Sequence, residues 1–202
     1  MVETPPVRRA VAADRERVVR TLARAFDADP VLTYFARKDT KRAQAVETIF
    51  DISFTHLTFP FGEAWVTDDG LGAALWTPPD RWNTLGALTT VPRLIGAVGI
   101  TRALEVLGSM NRMQARHPKT PPHYYLFALG VDPAHQGRGL GSVLLRAVTS
   151  QCDEKKVGAY LEASTAGNAR LYARHGFRVT EEFKMAKDAP TVSLMWREPR
   201  SG

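Results

Sequence analysis

Apolar residues recur at helical spacing near the start of the chain and at strand spacing further on. In ADRERVVRTLARAF (13–26), Val18, Leu22 and Phe26 fall at i, i+4 and i+8, one stripe of a helix. Asp14 is its candidate N-cap. PVRRAV (6–11) reads as a short strand before it, and Pro30 is expected to end the region. KRAQAVETIFDISFTHL (41–57) repeats the helical pattern, with Val46, Ile49, Phe50 and Phe54 on one side. In GEAWVTDDGLGAALWTPP (62–79) two apolar stretches flank Asp69-Gly70, a hairpin signal, and Pro78-Pro79 closes it. Residues 82–117 are the least legible; they suggest one or two helices interrupted by glycines and Pro92.

The second half alternates more cleanly. After the stiff loop PKTPP (118–122), HYYLFALGV (123–131) is a strand by its aromatic and aliphatic content. GLGSVLLRAVTSQC (139–152) reads as a helix and VGAYLEAS (157–164) as a strand. GNARLYARHGF (167–177) reads as a short helix stopped by Gly176. RVTEEFKM and TVSLMWRE form a closing antiparallel pair. The order β-α-α-β-β-(α)-β-α-β-α-β-β predicts an α/β fold, a mixed sheet with helices on its faces. At 202 residues, 44% hydrophobic, the chain fits one domain with a substantial core.

Charge and cysteine usage narrow the setting. The net charge is +6, and residues 101–202 carry all of the excess, 15 Lys/Arg against 9 Asp/Glu. That half would suit a small polyanionic ligand. The basic residues are scattered, with no run of five like charges and no nucleic-acid-binding motif, so no nucleic-acid partner is expected. The longest apolar stretch, VPRLIGAVGI (91–100), is too short and too interrupted to span a bilayer, so no membrane association is expected. Cys152 is the only cysteine and no basic-then-apolar leader opens the chain, so the cytoplasm is the expected compartment and Cys152 a bystander.

The chemistry concentrates in VDPAHQGRGLGSVLLRAV (131–148). Gly137, Gly139 and Gly141 precede an amphipathic run, the setting in which backbone N–H groups at a helix start cradle phosphate. Three patterns compete. A P-loop needs a lysine after the last glycine, and none is present. The dinucleotide fingerprint G-x-G-x-x-G places its third glycine at Ser142. The third pattern, Q-x-x-G-x-G, is met by the run from Gln136 to Gly141.

At this point the chain resembles the GCN5-related N-acetyltransferase superfamily. FALGV and Asp132-Pro133 stand upstream of the glycines as in that family. AYLEAS followed by Asn168, Leu171-Tyr172 and His175-Gly176-Phe177 is similar to its second hallmark block. VRRAVAADRERVVRTLARAF, AWVTDDGLGAALWTPP and TVSLMWREP look like the puromycin N-acetyltransferase branch. The resemblance implies one acetyltransferase domain: an acceptor-side half at 1–122, acetyl-CoA motifs at 123–180 and closing strands at 181–202. It also implies that parallel strands 4 and 5 (125–131 and 158–164) splay apart to hold coenzyme A. The cosubstrate contacts it implies are Leu129, Gly130, Val131, Gln136, Gly137, Arg138, Gly139, Leu140, Gly141, Ser142, Asn168 and Tyr172. Gly130 fits a bulge in the strand.

The implied reaction is direct attack of an amine on the acetyl thioester in a ternary complex, with no metal. An alkyl amine of pKa about 10.4 is almost wholly protonated at neutral pH, so a base or a dry pocket helps. Tyr172 matches the family's proton donor to the departing thiolate. No carboxylate stands on HYYLFALGV, which leaves Glu162 as the candidate base, with His56 and His123 as weaker ones. Phe26, Tyr34, Phe35, Trp65, Trp76 and Trp82 supply aromatics for an acceptor pocket, with Tyr34 and Phe35 its expected wall. The expected activity is acetylation of a small-molecule amine, an antibiotic or metabolite. Alternatives are acetylation of a protein or peptide amino group, and a non-catalytic acyl-CoA sensor. The chain is expected to act as a monomer or homodimer.

Overall fold

The computed structural model describes residues 5–79, 81 and 84–200, the side chains of 84–89 excepted. Its frame is one seven-stranded mixed sheet of order β1-β2-β3-β4-β5-β7-β6. The strands are β1 (Val7–Arg9), β2 (Ala64–Thr67), β3 (Gly72–Thr77), β4 (His123–Val131), β5 (Gly158–Ala163), β6 (Arg178–Lys184) and β7 (Thr191–Arg197). Among the described residues only β4 and β5 run parallel, and every other pair is antiparallel. The β2–β3 turn is the predicted hairpin, with Gly70 at φ +70° and the Asp69 carboxylate bonding Thr67 and the Leu71 amide.

Helices cover both faces. On one lie α1 (Arg15–Ala25), α2 (Pro30–Phe35) and α3 (Arg42–Ile52), with Val18, Leu22, Val46 and Phe50 packed on Val66, Ala73 and Leu75. On the other lie α6 (Leu140–Lys155) and α7 (Ala166–Arg174), whose Leu144, Leu145, Val148 and Tyr172 pack on Trp76, Leu126 and Leu161. Each fully buried aliphatic of this kind contributes about 1.5–3 kcal/mol. The stretch 84–116 resolves into two helices, α4 (Thr84–Val98) with Pro92 inside it and α5 (Ala103–Arg116).

Three expectations are corrected. Pro30 starts a helix rather than ending a region: it sits in the first turn of α2, where its missing N–H costs nothing, and Asp29 caps the Val31 and Leu32 amides at 2.9 Å. Asp14 occupies the expected N-cap position of α1, but its side chain makes no capping hydrogen bond. Its carboxylate instead receives the Val11 amide and a two-point hydrogen bond from Arg8. Gly130 is not a bulge. The register shifts opposite Leu75 and Trp76, so the extra residue lies at Phe127, while Gly130 pairs regularly with Ala73. Phe127 and Ala128 therefore both pack toward the α1–α3 layer, and Leu129 turns toward α6. Gly130 serves a close approach: a Cβ there would lie 2.8 Å from Ala25 Cβ and 2.9 Å from Leu22 Cδ2.

Candidate active site

The central opening follows from the strand register. β4 and β5 pair from His123–Gly158 through Leu126–Leu161, and no further. Beyond that point the strands part, leaving the β4 backbone from Phe127 to Val131 without its neighbour on that side.

The glycine turn stands at one end of the gap. Gly137 and Gly139 have φ of +77° and +85°, a region costly for residues with a Cβ, and the space beside both is open. Gly139 is the N-cap of α6. Its carbonyl receives the amides of Ser142 and Val143, whereas those of residues 139–141 donate to no backbone carbonyl among the described residues. Unpaired amides at the start of a sixteen-residue helix suit the pyrophosphate of coenzyme A. Exposed Arg138 makes no ion pair among the described residues and can add charge. Gly141 has another role: a Cβ there would stand 3.4 Å from Leu171 and 3.6 Å from Leu129, so it lets α6 start close to α7 and β4. Gln136 braces the turn by donating to the Val131 carbonyl, and Ser142 bonds the His175 ring at 2.9 Å. Leu140 is buried beneath the turn.

Between the parted strands and helices α1–α5 lies a cavity of about 280 Å³. Its apolar walls include Phe26, Phe35, Ile49, Phe50, Leu94, Met110 and Met113. Its polar lining comes from the gap, the neighbouring turns and the end of α5: Asp29, Gln114, His117, Tyr125, Glu162, Ser164, Asn168 and Tyr172. Leu129, Asn168, Tyr172, Glu162 and Phe35, named from the sequence, thus meet in one space. Tyr34, Trp65 and Trp76 do not. The Tyr34 hydroxyl is tied to Glu105 and Ser109. Trp65 donates to Glu63 under the Arg9 guanidinium, and Trp76 is fully buried in the core against α6. Trp82 lies outside the described residues. Of the weaker base candidates, His56 sits outside the cavity lining, and His123 contacts the cavity through His117.

The two carboxylates differ in what they are free to do. Asp29 already accepts the Val31 and Leu32 amides and the Ser164 hydroxyl, which in turn receives the Asn168 side-chain amide at 3.2 Å. Glu162, just past the last β4–β5 pair, has a side chain 10% exposed, and the His117 ring lies 3.9 Å from it. Burial pushes its pKa up to about 7; the nearby Tyr125 and Tyr160 phenols oppose that shift, although the buried Tyr160 hydroxyl reaches no partner at hydrogen-bond distance. An acid poised near 7 is suited to taking a proton at neutral pH. Tyr172 is buried, and burial with the Asp29 charge raises its pKa above the ordinary phenol value, so it keeps its proton. Cys152 is fully buried away from the cavity, its thiol pushed up to about 12 by burial.

The Acetyltransferase (GNAT) family pattern matches residues 46–177, more than half of the chain and spanning both the glycine turn and the gap. The chain belongs to the GNAT acetyltransferase family. It is an acyltransferase of the kind that uses acetyl-CoA. An uncharacterized N-acetyltransferase of Schizosaccharomyces pombe, C550.08, is 26% identical over 96% of this chain and 83% of its own. A Corynebacterium glutamicum structure described as histone acetyltransferase HPA2 and related acetyltransferase superposes with a TM-score of 0.77, at 26% identity over 99% of each chain. A Drosophila melanogaster polyamine N-acetyltransferase that forms N-acetylagmatine shares the fold, with TM-score 0.64 and 18% identity over 96% of this chain and 99% of that one. Aedes aegypti arylalkylamine N-acetyltransferase 2 also shares it, with TM-score 0.59 and 14% identity over 98% and 100%.

His117 and Asp29 are the site residues that sequence reading missed. His117 ends the stretch whose helices were hard to read. Asp29 was visible only as the residue before a proline, and Asp-Pro at a helix start is the signal that could have marked it.

Proposed function

We propose that this GNAT protein transfers the acetyl group of acetyl-CoA to the primary amine of a small molecule with an apolar or aromatic body, puromycin-like aminonucleosides included. The observation that carries this reading is the cavity itself: a largely apolar chamber with a single uncommitted buried carboxylate, opening onto the strand gap. An alkyl or aryl body gains by filling such walls, at about 25 cal/mol per Å² buried. A polyamine would have to bury its second cation in a mostly apolar lining, where the other carboxylate, Asp29, already accepts two amides and the Ser164 hydroxyl.

Acetyl-CoA supplies the activated acyl group, held by the amides after Gly137 and along the open edge of β4. Glu162 takes a proton from the incoming ammonium, which leaves a nucleophilic amine in a dry site. A main-chain N–H of the unpaired β4 edge, near Leu129, stabilises the charge on the thioester oxygen. Tyr172 gives its proton to the departing sulfur and regains one from the acylated nitrogen. Asp29, Ser164 and Asn168 fix the rim between α2 and α7 and keep the Tyr172 environment negative, so that its phenol stays protonated.

The test compares kcat/KM for 2-phenylethylamine, puromycin, agmatine and a lysine peptide, with acetyl-CoA saturating. The aromatic monoamines are expected to exceed agmatine and the peptide by at least tenfold, about 1.4 kcal/mol of differential binding. Preference for agmatine or the peptide would overturn the substrate class. Tight acetyl-CoA binding with no turnover of any acceptor would favour a sensor.

A further inference from the structure

Acetylation of an amine that arrives as ammonium releases one net proton: R–NH₃⁺ and acetyl-S-CoA become R–NH-acetyl, HS-CoA and H⁺. Tyr172 accounts for the proton placed on sulfur. The other rests on Glu162, a buried carboxylate that must lose it before the next turnover. The protein provides a way out that no part of the proposed reaction uses.

His117, the residue that closes α5, stands between Glu162 and a second ring. Its Nδ1 lies 3.9 Å from Glu162 Oε1, and its Nε2 lies 3.0 Å from Nε2 of His123. The far nitrogen of His123, Nδ1, is 2.9 Å from the Pro121 carbonyl oxygen on the exposed side of the sheet. A carbonyl only accepts, so neutral His123 carries its proton on Nδ1 and presents a bare Nε2. His117 must then donate through Nε2–H, and this leaves its Nδ1 lone pair directed toward Glu162. One surface carbonyl thereby sets the polarity of the whole chain.

We propose that His117 and His123 form a proton relay that carries the acceptor's proton from Glu162 to solvent. The inference rests on the reading of Glu162 as base. In one passage the Glu162 Oε–H bond breaks and a His117 Nδ1–H bond forms. The His117 Nε2 proton moves to His123 Nε2, and the His123 Nδ1 proton leaves to water. No oxidant or further reactant is needed; one proton enters from the amine and one departs. Both rings finish in the opposite tautomer, with the bare His123 Nδ1 against the Pro121 carbonyl. That repulsion favours return to the starting tautomers by exchange with water, in which each ring loses one proton from one nitrogen and gains one on the other, with no net proton moved.

Three features suit the pair to this task. The 3.9 Å step to Glu162 is about 1 Å beyond hydrogen-bond length, a gap a carboxyl torsion closes once the acceptor is bound. Aromatic edges hold the rings in place: His117 meets Tyr125 and Tyr160, both at 4.8 Å, and His123 meets Trp196 at 5.2 Å. Burial and the neighbouring His123 also lower the His117 pKa to about 4, so at neutral pH the ring passes a proton on rather than storing it as a cation. The titratable groups around this line are Tyr125 from β4, Tyr160 and Glu162 from β5, and Glu181 from β6, which raises the Tyr160 pKa.

The experiment measures steady-state kcat of His123→Ala and His117→Gln in weak buffer, with 2-phenylethylamine and with its β,β-difluoro analogue, whose amine is far less basic. For 2-phenylethylamine the rate is expected to fall about ten- to a hundredfold with little change in acceptor KM. Millimolar imidazole should restore His123→Ala saturably, and the loss should shrink for the difluoro amine, which enters already neutral. A merely structural role would give neither imidazole rescue nor dependence on amine basicity. Native kcat in both variants would overturn the relay, as would a deficit that imidazole leaves unchanged. Glu162→Gln separates the two levels. If it is slow while the histidine variants are native, only the relay fails; if it too is native, the base assignment fails with it.

Discussion

Replacing Glu162 by Gln should cost activity and add stability, and the added stability should depend on pH. Glu162 titrates at about 7 in the folded protein against 4.5 unperturbed, chiefly because burial disfavours the anion. A raised acid binds its proton more tightly when folded. Its contribution to stability is therefore complete below pH 4.5 and is lost as pH rises to about 7. The difference corresponds to about 3 kcal/mol of destabilisation at pH 8, at about 1.4 kcal/mol per pKa unit. The side chain is only 10% exposed, so solvent screening removes little of this. Gln keeps the shape and cannot ionise. For a domain of this size the gain corresponds to a Tm higher by about 6–12 °C at pH 8. Thermal unfolding of both proteins at pH 8, 6 and 4.5 tests the reasoning. The gap should be widest at pH 8 and close toward pH 4.5. A Glu162→Gln protein no more stable than native at pH 8, or with an offset independent of pH, would show that Glu162 is not a strained buried acid.

Three other substitutions probe separate parts of the site. Tyr172→Phe should lower kcat about a hundredfold, the scale of general-acid catalysis, with acetyl-CoA affinity by calorimetry nearly unchanged; full kcat where chemistry limits the rate would remove the phenol from the mechanism. Gly139→Ala forces a Cβ into the φ +85° region, a strain of about 1–2 kcal/mol, so the acetyl-CoA Kd should rise about tenfold, and an unchanged Kd would contradict the amide cradle. Gly130→Val drives a branched side chain into Leu22 and Ala25, an overpacking cost of about 1–3 kcal/mol that urea unfolding should register; undiminished stability would mean that α1 can move off β4 freely.

The parts of this site that were legible in the sequence are those governed by local chemistry. HYYLFALGV is β4 at its observed bounds, and the glycine turn and α6 follow where the pattern places them. Side-chain direction was harder to read. A one-residue bulge at Phe127 reverses the alternation of β4, so no strict period-two reading can assign its faces. Aromatic content marked Tyr34 and Trp76 as pocket candidates, but a phenol with two partners and an indole in a strand buried at all six positions belong to the core. His117 and Glu162 are 45 positions apart in the chain. Only the fold brings the end of α5 beside β5 and makes them neighbours.

The most direct test of the central claim is coenzyme A thiol release from acetyl-CoA with 2-phenylethylamine, followed across pH 5.5–8.5 together with the mass of the amine product. The account predicts acceptor-dependent release, a product heavier by one acetyl group, and a rate that rises as Glu162 ionises near pH 7. Thiol release that does not depend on the amine, or an amine recovered unchanged, would contradict it.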